Sequence, residues 1–234
     1  MRILLPFIIT HALKQKQNIV HIVKRFSEHS SKAYMSKNNI NFKTITNFPN
    51  SVGIRVYEEN DDLIITARGS TVCSDWITNF NCLLKEYSYE KENGKVHTGY
   101  LEKVENIISM PQFAKLEDYI SKRDNINVYL NGHSSSCIVL IMSVYLSNLY
   151  PSNNFTTVLF GSPRIANSEF YNTIKKRENL YVISVRFVDD IIPMLGIGVN
   201  NSDKIIDIVP KEYSLNFVKN HLMSRYENYL IDKL

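Results

Sequence analysis

Residues 126–149 constrain the fold more than any other stretch of this chain. Val128-Tyr129-Leu130-Asn131 reads as a buried strand, and Gly132-His133-Ser134-Ser135-Ser136 turns sharply. The segment 137–149 that follows is apolar on every side, as a helix in the middle of a domain must be. A strand that turns at a serine into a buried helix is a nucleophile elbow. The tight turn lifts the Ser134 hydroxyl clear of the backbone, and the N-terminal amides of the helix aim at the same point. The usual pentapeptide is G-x-S-x-G; here Ser136 stands in the last place, small enough that strain, not loss of the turn, is expected. Small residues are common at tight turns, so the pentapeptide alone decides little.

Strands and helices alternate around the elbow. Ile19, Ile22, Val23 and Phe26, then Ala33 and Tyr34, predict a helix over 18–36. Val52 to Tyr57 and Leu63 to Ala67 are β-rich runs split by a polar turn, a hairpin-like pair. Residues 98–123 predict two helical pieces interrupted by Pro111. Strands are expected at 126–131, 155–160 and 180–187, and helices near 167–177 and 212–231. This order predicts a single α/β domain over 1–234, with a central, mostly parallel sheet flanked by helices and chemistry at the strand ends. The opening Met1 to Ala12 looks like a weak secretory signal, so residues 1–16 are expected to be an N-terminal extension or signal-like segment. Cytoplasmic and secreted locations both stay open.

Composition excludes several classes. The net charge of +4 is spread along the chain and not gathered into a basic run, which argues against a nucleic-acid partner. No run of about 18 apolar residues is present, so no membrane-spanning helix is expected. The three cysteines make neither an even framework nor a C-x-x-C pair, so neither a disulfide scaffold nor a zinc site is suggested, and nucleophilic catalysis by a serine needs no metal or organic cofactor.

A serine hydroxyl is a weak nucleophile until a base takes its proton, and the base needs an orienting acid. In the α/β-hydrolase order the serine comes first, then the acid, then the histidine. His221 is the only histidine C-terminal to Ser134 and must supply the base. Two acids stand at strand ends in similar strings, Asp190-Ile191-Ile192-Pro193 and Asp207-Ile208-Val209-Pro210. These residues alone leave both open. Asp189 reads as a capping or solvent-facing carboxylate, His97 as a satisfied core or loop histidine, and His133 as the variable elbow position.

Five ordered blocks give the chain a resemblance. They are Ala67-Arg68-Gly69-Ser70-Thr71 with Asp75-Trp76 and Phe80; Val96-His97-Thr98-Gly99-Tyr100; Asn131-Gly132-His133-Ser134; Phe160-Gly161-Ser162-Pro163-Arg164-Ile165-Ala166-Asn167 with Phe170; and Asp190-Ile191-Ile192-Pro193. His221 follows, with Tyr226 and Leu230 behind it. Over residues 50–231 the chain resembles the class-three lipases, the fungal triacylglycerol lipase group of the α/β-hydrolase fold.

The resemblance implies that Asp190 is the acid, because the family's aspartate directly precedes the hydrophobic-hydrophobic-Pro string. It implies an oxyanion hole from the Ser135 N–H and from Ser70. It also implies a lid over 71–84, with Trp76, Ile77, Phe80, Leu83 and Leu84 meeting lipid, a set that helical spacing alone reads as core packing. The implied activity is hydrolysis of carboxylic esters, as a triacylglycerol lipase acting on acyl-ester lipid with transient contact at a lipid interface. A phospholipase A and a catalytically silent lipid- or partner-binding protein are the alternatives. Oligomeric state stays open. Besides Ser136, two features depart from the family: Asn79 stands where an acid often supports the oxyanion residue, and the cysteine pairs of secreted members are not evident.

Overall fold

The computed structural model describes residues 19–34, 43–69, 83–87 and 94–233. A seven-stranded sheet runs through them in the order β1 (Lys43–Asn47), β2 (Ile54–Glu59), β3 (Asp62–Ala67), β6 (Asn127–His133), β7 (Asn154–Phe160), β8 (Leu180–Phe187) and β9 (Lys204–Ile208). β1, β2 and β3 pair antiparallel; every pairing from β3 through β9 is parallel. A ribbon of β4 (Leu84–Glu86) and β5 (Lys95–His97) lies outside this sheet. The mostly parallel α/β sheet expected from the alternation of elements is therefore present, and its switch to helix after β6 puts Ser134 at the carboxyl end of a central strand.

Both faces of the sheet are covered, which is why its central strands read as near-continuous apolar runs. On one face Val128, Leu130 and Leu159 pack with the elbow helix Ile138–Leu149 and with Leu101, Phe113 and Leu116 of the helices Thr98–Ile108 and Pro111–Ser121. On the other, Ile64, Val158 and Phe160 meet Val23 and Phe26 of the helix 19–32 and Tyr226 and Leu230 of the closing helix Met223–Lys233. The period of two in β6 sorts Val128 and Leu130 to the first face and Tyr129 to the second. Among the described residues no helix is long and apolar enough to cross a membrane.

The N-terminal helix is fixed by polar bonds as well as apolar area. Arg25 reaches Glu59 and Asp62, each at 2.7 Å, and the Ser30 hydroxyl donates to Asn131 Oδ1 at 2.9 Å. Those bonds seat the turn after the helix, which carries Tyr34 toward the end of β6.

The structure differs from the sequence reading in two places. The helix predicted over 212–231 is broken: Phe217–Asn220 forms one turn, His221 and Leu222 leave helical register, and the helix resumes at Met223. The Asn216 side chain caps the short turn by accepting from Lys219 N at 3.0 Å, and the break turns His221 inward while Leu215 and Phe217 stay exposed. The two helical pieces expected over 98–123 are present, and Pro111 opens the second at its first turn, a position that needs no N–H partner. The strands β1 and β9 were not expected; both lie at sheet edges, where exposed Lys43, Thr44 and Lys204 blur the alternation.

Candidate active site

Four non-glycine residues among those described have positive φ. Asn60 and Asp61 form the tight turn of the β2–β3 hairpin and Asn125 lies in a loop, all residue types that tolerate the left-handed region. The fourth is Ser134, at φ 62°, where the chain leaves β6 and enters the 3-10 turn Ser134–Cys137. Such strain persists only where the surroundings over-determine it. Gly132 supplies part of the constraint, since a Cβ there would collide with the Ser136 side chain. Ser136 fits because Gly132 leaves it room, and its hydroxyl donates to His133 O at 2.6 Å, tying the elbow across its own turn.

The sheet register then assembles the other groups. His133 pairs with Phe160, so Ser134 and Gly161 leave neighbouring parallel strands side by side. Gly161 has φ +55°, and a Cβ on it would lie 3.0 Å from Asp190 Oδ2, 3.0 Å from His221 Cε1 and 3.1 Å from the Tyr226 hydroxyl. Asp190 follows β8, and its Oδ2 accepts from His221 Nδ1 at 2.7 Å. The same oxygen accepts from Tyr226 OH at 2.7 Å, and Oδ1 accepts from Ile192 N at 3.0 Å. Three donors thus converge on a carboxylate that is 1% exposed, the compensation a buried charge requires. Because Nδ1 faces the carboxylate it donates the ring proton there, the tautomer in which Nε2 can take a proton from a hydroxyl nucleophile. Asp207 lies elsewhere, exposed and paired with Arg186.

Tyr34 enters this site without a signal in the sequence strong enough to single it out, and His133 and Tyr226 stand in the motif blocks without a role of their own. Helical spacing marked Tyr34 only as an apolar position, and His133 only filled the elbow. His133 Nε2 lies 2.7 Å from the carbonyl of His221, which can only accept, so Nε2 is protonated and Nδ1 accepts from Tyr34 OH at 2.9 Å. Tyr34 in turn accepts from Gly69 N at 3.1 Å. One chain of bonds therefore joins Gly69 after β3, Tyr34 after the N-terminal helix, His133 at the elbow and the backbone of His221. Burial, reinforced by the neighbouring His221, holds His133 well below the ordinary histidine range and keeps it neutral. Burial pushes the Tyr34 hydroxyl up to about 12, and burial together with the Asp190 charge pushes Tyr226 well above its ordinary value, so both remain protonated donors.

Ser135 sits at the first turn after the elbow, where the resemblance puts one oxyanion donor. Ser70, Trp76, Ile77 and Phe80 lie outside the described residues; their described neighbour Gly69 packs so closely on the elbow that a Cβ would sit 3.2 Å from Ser134 Cβ. Cys137 is buried and its thiol is pushed up to about 12 by that burial, leaving no reactive thiolate. Among the described residues no group of three or more His, Cys, Asp or Glu could hold a metal ion.

The family model for Lipase (class 3) matches residues 64–198, more than half of the chain. The chain belongs to the class 3 lipase family. A curated relative, the secreted mono- and diacylglycerol lipase 1 of Fusarium solani, is 29% identical over 153 residues, covering 61% of this chain and 43% of that protein. The chain thus spans less than half the length of this curated relative. Two solved structures share the fold: lipase II from Rhizopus niveus (TM-score 0.64, 18% identity, 76% of this chain and 74% of that one) and a triacylglycerol lipase from Penicillium expansum (TM-score 0.64, 14% identity, 84% and 81%). Tyr34, His221, Arg225 and Tyr226 lie outside the segment matched to the class 3 lipase model.

Proposed function

We propose that this class 3 lipase chain is a serine hydrolase of carboxylic esters, with acylglycerol lipids as its substrate class. The observation that carries the reading is the buried Asp190–His221 pair, 2.7 Å apart, set at the strand ends beside a serine held at positive φ. Ser134 Oγ attacks the ester carbonyl carbon while His221 Nε2 takes its proton, and Asp190 holds the imidazole in the required tautomer and stabilises its charged form. The Ser135 N–H and Ser70 hold the oxyanion, preorganised donors of the kind usually worth several kcal/mol in the transition state. The tetrahedral intermediate expels the alcohol, which receives the proton from His221. Water then attacks the acyl-enzyme with His221 again as base, releasing the fatty acid and restoring the Ser134 hydroxyl.

A second observation supports work at a lipid surface. Val209, Tyr213, Leu215, Phe217 and Val218 are exposed in the strap that leads into His221, Leu215 at 92%. Exposed apolar side chains in such a run are costly in water and gain by meeting an apolar phase. The name of the Fusarium solani relative points to partial glycerides. Initial rates on monoolein, diolein, triolein and phosphatidylcholine test the substrate class. Hydrolysis of the glycerides supports the reading; turnover of phosphatidylcholine with none of the glycerides makes the protein a phospholipase A, and no turnover of any ester makes it a binding protein.

A further inference from the structure

Asp190 and His221 come from segments with no chain connection near the site, and one hydrogen bond joins their side chains. The residues just before each of them are tied together much more strongly. Arg225, in the first turn of the closing helix, donates from Nη1 to Asp189 Oδ1 at 3.0 Å and from Nη2 to Asp189 Oδ2 at 2.9 Å. Its Nη1 also donates to the carbonyl of Asn220 at 3.1 Å. Asn220, 2% exposed, returns a bond from Nδ2 to the carbonyl of Asp189 at 3.2 Å and holds the strap through Ser214 O at 2.6 Å. The guanidinium carbon lies 4.0 Å over the Phe187 ring, which fixes the plane of the fork.

We propose that Arg225 and Asp189 form a positioning clamp that sets the distance and angle between Asp190 and His221. This rests on the reading of Ser134, His221 and Asp190 as the catalytic triad. An ordinary surface ion pair contributes little. Here the Asp189 side chain is 6% exposed, the pairing is bidentate, and the same guanidinium grips the backbone one residue before the base. A planar fork of fixed geometry transmits position in a way a lysine ammonium does not. The clamp also cancels the charge of Asp189, which would otherwise stand as an unpaired carboxylate next to the charge of Asp190. Remove Arg225, and Asp189 turns toward water to be solvated, drawing its own backbone and that of Asp190 away from the imidazole. Neither residue touches the reacting atoms; both act through the pair they hold.

The test measures kcat and KM for a short-chain nitrophenyl ester below its solubility limit, per active site titrated with a fluorophosphonate. The wild-type protein must first label at Ser134 and turn over the ester; if it does not, the triad reading fails before the clamp is examined. Arg225→Ala is expected to lower kcat by ~10–100-fold with KM little changed, the size of effect a misplacement of about an ångström causes. Arg225→Lys keeps the charge without the fork and is expected to recover only part of that loss. Free guanidinium ion at tens of millimolar is expected to restore turnover in Arg225→Ala and to leave wild type unchanged. Asp189→Asn combined with Arg225→Ala is expected to cost no more than the worse single variant, because both break one device. A purely structural ion pair gives a different pattern: lower melting temperatures, but wild-type kcat per titrated site and no guanidinium rescue. That pattern overturns the proposal, as does full activity in Arg225→Lys.

Discussion

Gly161→Ala is expected to disable the site while leaving the sheet standing. Gly161 sits at φ +55°, where an alanine costs roughly 1–2 kcal/mol of backbone strain. Its new methyl would meet Asp190 Oδ2 and His221 Cε1 at 3.0 Å and the Tyr226 hydroxyl at 3.1 Å. These contacts are tighter than ordinary van der Waals packing, so each neighbour must give by a few tenths of an ångström. They cannot give freely, since Asp190 is held by three donors and the His221 ring stacks near His133 with centroids 4.5 Å apart. Overpacking of this kind adds about 1–3 kcal/mol, for a total loss of stability of about 2–5 kcal/mol. The displaced pair should lower kcat by ~10-fold or more, following the steep dependence of catalysis on position. Urea unfolding and kcat on a soluble ester, per titrated serine, read the two effects separately. An alanine variant with wild-type unfolding midpoint and wild-type kcat would refute the packing argument.

Three further outcomes follow from the same geometry. Asp190→Asn is expected to lower kcat by orders of magnitude, whereas Asp207→Asn, at an exposed pair with Arg186, should cost little; a reversed order in steady-state kinetics would move the acid to Asp207. His133 and His29 are both held below the ordinary histidine value by burial, so the unfolded chain binds more protons than the folded one below about pH 6.5. Stability must then fall as pH drops through and below that value, and equal urea midpoints at about pH 7.5 and pH 5 would contradict it. Leu215→Asp with Phe217→Asp is expected to weaken binding to emulsified triolein several-fold while sparing hydrolysis of a soluble ester, measured by sedimentation and by initial rate.

Much of the fold was legible because burial on both faces writes strands such as Val128 to Leu130 and Val182 to Val185 as apolar runs, and because the elbow helix is apolar all round. The edge strands β1 and β9 carry no such pattern, since exposure frees their outer positions. The break before Met223 has no mark in the sequence, since Val218 and Leu222 stand at helical spacing although both are exposed. Order and motif single out Ser134, Asp190 and His221 in the sequence, whereas the bonds that tie Asp190 to His221 and Tyr226 depend on the fold. Tyr34, Asp189 and Arg225 earn their places only through tertiary proximity across 34 to 225, which no local pattern encodes. Asp189, read as a capping or solvent-facing carboxylate, is instead a buried partner of Arg225.

The central claim is that Ser134 is a nucleophile activated by His221. Treatment with a fluorophosphonate probe, followed by peptide mass mapping, tests it most directly. The account predicts one adduct, on Ser134, forming quickly in the wild-type protein and at least ~1,000-fold more slowly in His221→Ala. An adduct on another residue, or labelling of Ser134 at an undiminished rate without His221, would contradict it.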